Sequence, residues 1–305
     1  MTASSLPLSA ALAALENEAI FILREAVTQA QRPVLLFSGG KDSTVLAHLA
    51  ARAFHPAPPP MPLLHVDSTW EFRELLTFRD AFARDHGFVL RVHANEQGRA
   101  AGMNPFDHAD AYTTVMRTDA LKQALDAGSY DTIFGGARRD EEKSRAKERV
   151  FSVRDRGHGW NPRQQRPELW QLYNTQLTKA QSLCVFPLSN WTEMDIWRYA
   201  EQRRIALAPL YFAARRPVVE RDGMLLVVDE PARMRWRATD MVTPRSVRFR
   251  TLGCWPVTAA IASDAVDLAS VVLETAMAKG SERQGRLGDR DAGGSLERQK
   301  REGYF

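Results

Sequence analysis

The sequence predicts an α/β protein with a mainly parallel, doubly wound sheet and a C-terminal extension. Short apolar runs alternate with amphipathic helical patterns along the first 136 of the 305 residues. Several of these runs are followed at once by glycine or by small polar residues. Because strand–helix–strand units are right-handed and give parallel neighbours, we expect these polar ends to share one edge of the sheet, where such folds bind ligands.

The predicted elements follow from the spacing of apolar residues and from helix breakers. Apolar residues from Leu8 to Ala26 recur every three or four positions and predict an N-terminal amphipathic helix. The predicted strands are 33–37, 63–66, 88–92 and 130–134. Between them we expect a helix ending near residue 54, a helix capped by 67–69 and closed by Gly87, and a helix over about 110–126.

The regular alternation is expected to stop after Gly136. Residues 191–195 resemble a capping box that opens a helix reaching about Arg203, and Asp222-Gly223 predicts a hairpin turn. The predicted organisation is an N-terminal helix (1–30), an α/β domain (31–215) and a C-terminal region (216–305) with a hairpin, a basic segment and a charged tail.

Composition narrows the classes of function. Hydrophobic residues make up 44% of the chain, as in ordinary globular proteins, and no apolar run is long enough to span a bilayer. The net charge of +4 suits nucleic acid and small anionic substrates equally, but no RNA-binding aromatic signature is present. Two cysteines are too few for a disulfide framework, a zinc site or an iron–sulfur cluster. With no signal-peptide pattern, we expect a cytoplasmic protein that binds neither membrane nor nucleic acid.

The stretch Ser38-Gly39-Gly40-Lys41-Asp42-Ser43 joins the first predicted strand to the next helix. A helix N-terminus presents unpaired N–H groups and partial positive charge, and paired glycines let the backbone approach an anion closely. Lys41 adds a positive charge, while Ser38 and Ser43 add hydroxyl donors. The pattern is neither a Walker A loop nor a Gly-x-Gly-x-x-Gly loop. It predicts a phosphate cradle; the plainer alternative is a Gly-rich turn in which Asp42 caps the helix.

Two other chain segments are expected at the same edge. Asp67 follows the second strand, and Gly135-Gly136 follows the fourth. A carboxylate at the position of Asp67 can accept hydrogen bonds from a ribose or hold a cation, although it can also serve only as a helix cap.

A run of ten charges in twelve residues, 138–149, follows the second glycine pair. One interpretation is a solvated helix laced by pairs such as Arg138–Glu142. Arg138 and Arg139, however, come directly after a strand end, and the planar guanidinium fork suits phosphate or sulfate oxygens. We therefore predict anion contacts for these two arginines.

Other polar groups give weaker signals. Arg248 and Arg250 alternate, so an extended segment places both on one face, either as a second anion contact or as an exposed strand surface. The scattered histidines have no metal-ligand spacing, and no Ser/His/Asp or Cys/His arrangement can be drawn.

Taken together, these blocks resemble an ATP pyrophosphatase of the PAPS reductase-like group, with its adenine nucleotide alpha hydrolase-like (PP-loop) fold. Within that group the chain is most similar to the family of small, catalytic subunits of bacterial GTP-dependent sulfate adenylyltransferase. The segments that carry the resemblance are 38–43, 67–70, 104–106, 134–149, 165–170, 186–193, 248–254, 281–286 and 303–305.

The resemblance implies that ATP and sulfate react to give adenosine 5′-phosphosulfate and pyrophosphate, with Mg²⁺ bound mainly through the ATP phosphates. It also implies a separate GTPase large subunit as partner. This sequence has no Walker A motif, so we do not expect it to be that GTPase itself. We assign Lys41, Arg138 and Arg139 to catalysis. The nucleotide-binding residues are Ser38, Gly39, Gly40, Lys41, Asp42, Ser43, Asp67, Gly135 and Gly136. The weaker candidates for sulfate binding are Lys143, Arg248 and Arg250. No metal ligand is assigned; whether Asp42 or Asp67 touches Mg²⁺ stays open.

Three rival functions share the loop. A PAPS or APS reductase needs a cysteine thiolate, but the chain has no cysteine after Cys254. A tRNA-thiolating enzyme needs tRNA-binding elements and usually cysteines that are absent here. A non-catalytic nucleotide-binding scaffold for the GTPase is the third alternative, and the intact 38–43 loop argues against it.

Overall fold

A computed structural model of the chain describes residues 8–141, 143–179 and 181–278, and the predicted mainly parallel sheet is confirmed there. Its strands are β1 (Pro33–Leu36), β2 (Leu63–Val66), β3 (Leu90–His93), β4 (Thr132–Phe134), β5 (Phe151–Arg154) and β6 (Ser182–Val185). They lie in the order β3-β2-β1-β4-β6-β5, and all neighbours are parallel except β5 and β6.

Nine α-helices occur in the described ranges. They are α1 (Ala10–Gln29), α2 (Lys41–Phe54), α3 (Arg73–Asp85), α4 (Glu96–Ala100), α5 (Pro105–Thr113), α6 (Ala120–Gly128), α7 (Lys143–Ala146), α8 (Glu193–Arg203) and α9 (Leu268–Met277). The single helix expected over 110–126 is instead α5 and α6 joined by a π-helical turn, Thr114–Asp119. The predicted capping box of α8 is confirmed between Thr192 and Asp195.

The sheet is buried on both faces, as a doubly wound fold requires. Leu35 and Phe134 point into the larger core, which also contains the buried faces of α1, α2 and α8. Val34 and Ile133, their neighbours in sequence, point to the opposite face and pack in the smaller core with Leu121 of α6. This period of two places apolar side chains on alternate faces of each strand.

The regular alternation stops after Gly136 as expected, since only the four-residue α7, the antiparallel β5 and short 3₁₀ turns follow β4, but the sheet does not end there: β6, which was not predicted, continues it parallel to β4. A buried strand of only four residues is hard to distinguish from any other short apolar run. Strand β5 is difficult to predict for another reason: Phe151 and Val153 alternate with Ser152 and Arg154, but the two polar side chains are completely buried, so the strand has no solvent-facing side.

The predicted cap at 67–69 is also wrong. Helix α3 begins at Arg73 with Phe72 as its N-cap, and the Asp67 carboxylate accepts a hydrogen bond from the Thr69 N–H at 2.7 Å. A residue distant in sequence accepts a hydrogen bond from the α3 N-terminus instead: the Arg73 N–H donates to the carboxylate of Asp229 at 3.2 Å.

A second, antiparallel sheet follows. Its strands are β7 (Ala214–Arg221), β8 (Met224–Val227), β9 (Thr243–Arg248) and β10 (Ile261–Ala262), in the order β10-β9-β7-β8. The predicted hairpin turn is confirmed, with positive φ angles of 52° at Asp222 and 75° at Gly223. The division at 30/31 and 215/216 stays a prediction, and the charged tail from Ser281 lies outside the described residues. No helix in the described part of the chain combines the length and apolar character needed to cross a membrane.

The N-terminal helix α1 is joined to α2 and α8 by one buried carboxylate. Glu16 of α1 accepts hydrogen bonds from Arg52 of α2 at 3.0 Å and from the Tyr199 hydroxyl and the Arg203 Nε of α8 at 2.7 and 2.8 Å. Hydrogen bonds to the Glu16 carboxylate thus connect α1, α2 and α8.

Acidification should weaken this packing through His48 of α2. Burial, followed by the nearby positive charge of Arg52, lowers the pKa of His48 from 6.5 to about 4. The unfolded chain then binds the extra proton first, so the free energy of unfolding should fall by about 2 kcal/mol between pH 7 and pH 5. Denaturant titrations at both pH values test this. His48→Gln should reduce the loss, whereas the same change at the exposed His55 should not.

Candidate functional site

A cavity of about 260 Å³ opens at the carboxyl ends of β1, β2 and β4. Strand β1 has β2 on one side and β4 on the other. The chain forms β2 and β3 on one side of β1 and then crosses back to form β4 on the other side. This is the switch point at which open α/β sheets bind ligands. The polar side chains that line the cavity belong to Ser38, Lys41, Asp42, Ser43, His65, Glu71, Arg117, Glu141, Arg145, Tyr211 and Thr251.

The 38–43 loop forms a tight turn into α2. Gly39 has a φ of 72°, and a Cβ there would lie 2.6 Å from the Leu75 Cδ1, so both backbone conformation and space favour glycine. Gly40 is the N-cap of α2 and offers no side chain to cap it. The first-turn N–H groups of a 14-residue helix therefore begin at the cavity wall.

The two serines of the loop stabilise its shape. The Ser43 hydroxyl donates to the Gly40 carbonyl at 3.0 Å, and the Ser38 hydroxyl accepts from the Gly40 N–H at 3.3 Å. The two hydroxyl oxygens lie 3.2 Å apart. Both side chains line the cavity, so rotation of either hydroxyl would direct a donor toward an anion there.

Two long-range contacts complete the turn. The Tyr211 hydroxyl accepts the Lys41 N–H at 2.7 Å, across 170 positions of sequence. On the β4 side, a Cβ on Gly136 would lie 3.1 Å from the Asp42 carbonyl carbon and the Ser43 nitrogen. The segment after β4 therefore reaches the first turn of α2 only because position 136 has no side chain.

Asp42 is held between two cations. Its carboxylate oxygens lie 3.1 Å from the Lys41 Nζ and 2.6 Å from the Arg138 Nε. Burial would raise the pKa of Asp42, but the charges of Lys41 and Arg138 outweigh burial and hold the pKa below its ordinary value. The ionised carboxylate therefore orients both cations and does not serve as a simple helix cap.

Arg138 lies behind the loop, not on the cavity surface. Its side chain is 1% exposed, and its guanidinium donates to both Asp42 and Asp140. Asp140 in turn accepts the N–H of Glu193, the first residue of α8, at 3.0 Å. Arg138 thus connects the loop to α8, a role that the charge pattern alone did not indicate.

The other predicted site residues are spread more widely. Arg139 donates to Asn190 at 2.5 Å, the buried Arg248 donates twice to Glu274, and Arg250 pairs with Glu193 at 2.9 Å. None of these three arginines is among the described residues that line the cavity. Asp67 lines a neighbouring cavity of about 550 Å³, and the Lys143 side chain lies outside the described part of the structure.

The cavity thus brings together Ser38, Gly40, Lys41, Asp42, Ser43, Gly135 and Gly136 from the predicted set, with Gly39 shaping the turn. Sequence reasoning missed Arg117, Arg145 and Tyr211. Arg145 lies in the charged run but was not among the residues predicted to contact an anion, and Arg117 and Tyr211 carry no local signal.

The donor chemistry does not indicate a metal held by protein ligands alone. The Asp42 carboxylate is committed to two cations, and the described residues contain no group of three or more histidine, cysteine or acidic side chains arranged for a metal ion. A hard cation such as Mg²⁺ fits this cavity only with most of its oxygen ligands supplied by phosphates.

The fold and the loop define the class: an α/β protein with a phosphate-binding loop at a parallel-sheet switch point. A family model described as phosphoadenosine phosphosulfate reductase domain matches residues 32–260. The sulfate adenylyltransferase subunit 2 of Brucella abortus (strain 2308) is 59% identical over 292 residues, covering 95% of this chain and 97% of the relative. The protein of the same name from Brucella anthropi is also 59% identical, covering 95% of both chains. The chain belongs to the sulfate adenylyltransferase subunit 2 family, within that wider domain family, so the resemblance predicted from the sequence is confirmed.

Among solved structures, the chain is similar to FMN adenylyltransferase of Candida glabrata in complex with FMN and the ATP analogue AMPCPP. The TM-score is 0.50 at 15% identity, covering 94% of this chain and 91% of the other. At that identity the similarity shows the fold alone.

Proposed function

We propose that this chain is the catalytic subunit of a sulfate adenylyltransferase, which transfers the adenylyl group of ATP to sulfate and releases pyrophosphate. The observation that carries the proposal is the 38–43 loop, which brings the α2 N-terminus and Lys41 to a cavity at the sheet's switch point in a chain of this family.

The chemistry requires positioning more than proton transfer. A sulfate oxygen attacks the α-phosphorus, a new P–O bond forms, and the bond to the pyrophosphate oxygen breaks in line. Sulfate is fully ionised at neutral pH, so no general base is needed. The protein must hold two anions together and offset their repulsion.

The cavity walls suggest where each part of ATP lies. The α2 N-terminus, Ser38, Lys41 and Ser43 would hold the leaving pyrophosphate, because their donors and positive charge meet at one end. Apolar side chains of β1, β2 and α6 offer a surface for the adenine; they are Leu36, Leu64, Val66 and Leu121. Mg²⁺, when bound, would neutralise phosphate charge, with its ligands supplied mainly by ATP.

The family name "subunit 2" implies a further subunit. We propose that this partner is a GTPase, whose hydrolysis of GTP drives the unfavourable adenylylation. We also propose a cytoplasmic location, which agrees with the two free, buried cysteines.

Sulfate-dependent exchange of labelled pyrophosphate into ATP tests the proposal. We expect exchange to require sulfate and this chain, and to increase when the partner subunit and GTP are added. Exchange that proceeds equally well without sulfate would contradict it.

The reductase alternative requires a reactive thiolate, and neither cysteine offers one. Cys254 is buried, its Sγ lies 3.1 Å from the Ser68 Oγ and 3.3 Å from the Tyr112 hydroxyl, and burial raises its pKa. Burial likewise raises the pKa of Cys184 to about 12. Both thiols are therefore protonated at neutral pH.

Cys254→Ser separates the two functions. Serine preserves a hydrogen-bonding group between Ser68 and Tyr112, so we expect the exchange rate to stay within about twofold of the wild type and stability to fall by about 1 kcal/mol. Steady-state exchange and thermal unfolding measure the two effects. Complete loss of turnover in a folded variant would favour thiol chemistry.

A further inference from the structure

Arg145 is a buried guanidinium on the cavity wall that none of the roles above uses. It lies on α7, in the segment that follows β4, and its side chain is 7% exposed. Although it is almost buried, it lines the same cavity as the 38–43 loop.

The donors of Arg145 are incompletely satisfied. Its Nε lies 3.9 Å from a Glu141 oxygen, and its Nη1 lies 3.5 Å from a Glu148 oxygen. These ion pairs keep the guanidinium charged, but within the described residues neither nitrogen makes a hydrogen bond. Arg138 and Arg248, which are buried even more completely, instead direct two nitrogens each onto carboxylate oxygens.

A buried, charged donor without a hydrogen-bond acceptor is costly, and the cost disappears when an anion enters the cavity. Glu148 cannot easily move closer, because it also accepts from the fully buried Arg154. The arrangement therefore leaves Arg145 ready for an acceptor that the protein itself does not supply.

We propose that Arg145 binds the sulfate substrate; the identity of the anion rests on the proposed function. The pyrophosphate would be held by the loop after β1, whereas Arg145 is brought to the cavity by the segment after β4. In-line displacement requires the attacking and leaving groups on opposite sides of the α-phosphorus, so each anion needs its own cation. A guanidinium fork can donate to two oxygens of one sulfate.

The test measures KM for sulfate and for ATP in the exchange assay, using the full chain with its partner subunit. Arg145→Gln and Arg145→Lys are compared with Arg149→Gln, an exposed arginine of the same charged run. We expect KM for sulfate to rise about 10- to 100-fold in Arg145→Gln and less in Arg145→Lys. KM for ATP should stay within about twofold, and Arg149→Gln should resemble the wild type.

Thermal unfolding with and without sulfate, in the presence of ATP, provides a second readout: the wild type should gain the most stability from sulfate, Arg145→Lys less and Arg145→Gln the least. If Arg145→Gln does not fold, the KM for sulfate is measured in Arg145→Lys instead, because lysine retains the positive charge. The proposal would be overturned if a folded Arg145 variant had an unchanged KM for sulfate, or if its KM for ATP rose as much as its KM for sulfate. It would also be overturned if only a variant of Arg117, and none of Arg145, had a raised KM for sulfate. A wild-type protein without sulfate-dependent exchange would overturn the proposed function as well.

Discussion

Replacing Lys41 by alanine is expected to lower the rate of sulfate-dependent exchange by about 10²- to 10³-fold, the usual cost of removing one preorganised group that stabilises developing negative charge. Lys41 is 2% exposed, lines the cavity, and has its ammonium group 3.1 Å from Asp42. In the proposed reaction, negative charge develops on the leaving pyrophosphate when its bond to the α-phosphorus breaks, and the proposed site places this charge next to the Lys41 ammonium. The alanine variant should therefore lose more in kcat than in KM for ATP.

The fold should survive this change. Lys41 is the first residue of α2, where alanine is an acceptable helix former, and the Tyr211 contact uses only the backbone N–H. Asp42 loses one of its two cations but keeps Arg138, so we expect a smaller loss of stability than in an Arg138 variant, with Lys122→Ala on α6 as the control for loss of one lysine elsewhere. Turnover near the wild-type rate in Lys41→Ala would remove this residue from the mechanism.

The parts of the fold that could be predicted were those specified locally. Each of the first four strands is a short apolar run between breakers, and the loop at 38–43 carries its own signal in two glycines and a lysine. The capping box of α8 likewise lies within four residues. Such patterns need no knowledge of distant partners.

The parts that could not be predicted depend on contacts between distant segments. Tyr211 accepts a hydrogen bond from Lys41, which lies 170 positions away in sequence, and Asp229 accepts one from the N-terminus of α3, 156 positions away. A single sequence gives no register between such segments. For the same reason, the charged run after β4 could not show that Arg138 is directed to Asp42 while Arg145 reaches the cavity.

Replacing Arg138 by methionine is expected to lower stability by about 3 kcal/mol, because it leaves two carboxylates without the cation between them. A chain of 305 residues should then unfold roughly 5 °C lower. This loss of stability is at the lower end of the range for breaking a buried ion pair, because the side chains of Asp42 and Asp140 are 27% and 39% exposed. Denaturant titration and thermal unfolding measure the loss.

A double-mutant cycle assigns that loss to the contact with Asp42. Asp42→Asn removes the charge that Arg138 neutralises, so the pair Asp42→Asn/Arg138→Met should be at least about 1 kcal/mol more stable than the sum of the two single changes. Additive losses would mean that the 2.6 Å contact contributes little.

The comparison of Arg138 with Lys41 separates positioning from catalysis. Both residues contact Asp42 and both are almost completely buried, but only Lys41 lines the cavity. At a temperature at which both variants are folded, Arg138→Met should retain more turnover than Lys41→Ala while being the less stable protein. A variant at position 138 with wild-type stability and a turnover as low as that of Lys41→Ala would instead restore Arg138 to the catalytic role that its place in the sequence predicts. The structure favours the first outcome, because the Arg138 guanidinium is buried against two carboxylates that neutralise its charge and it does not line the cavity.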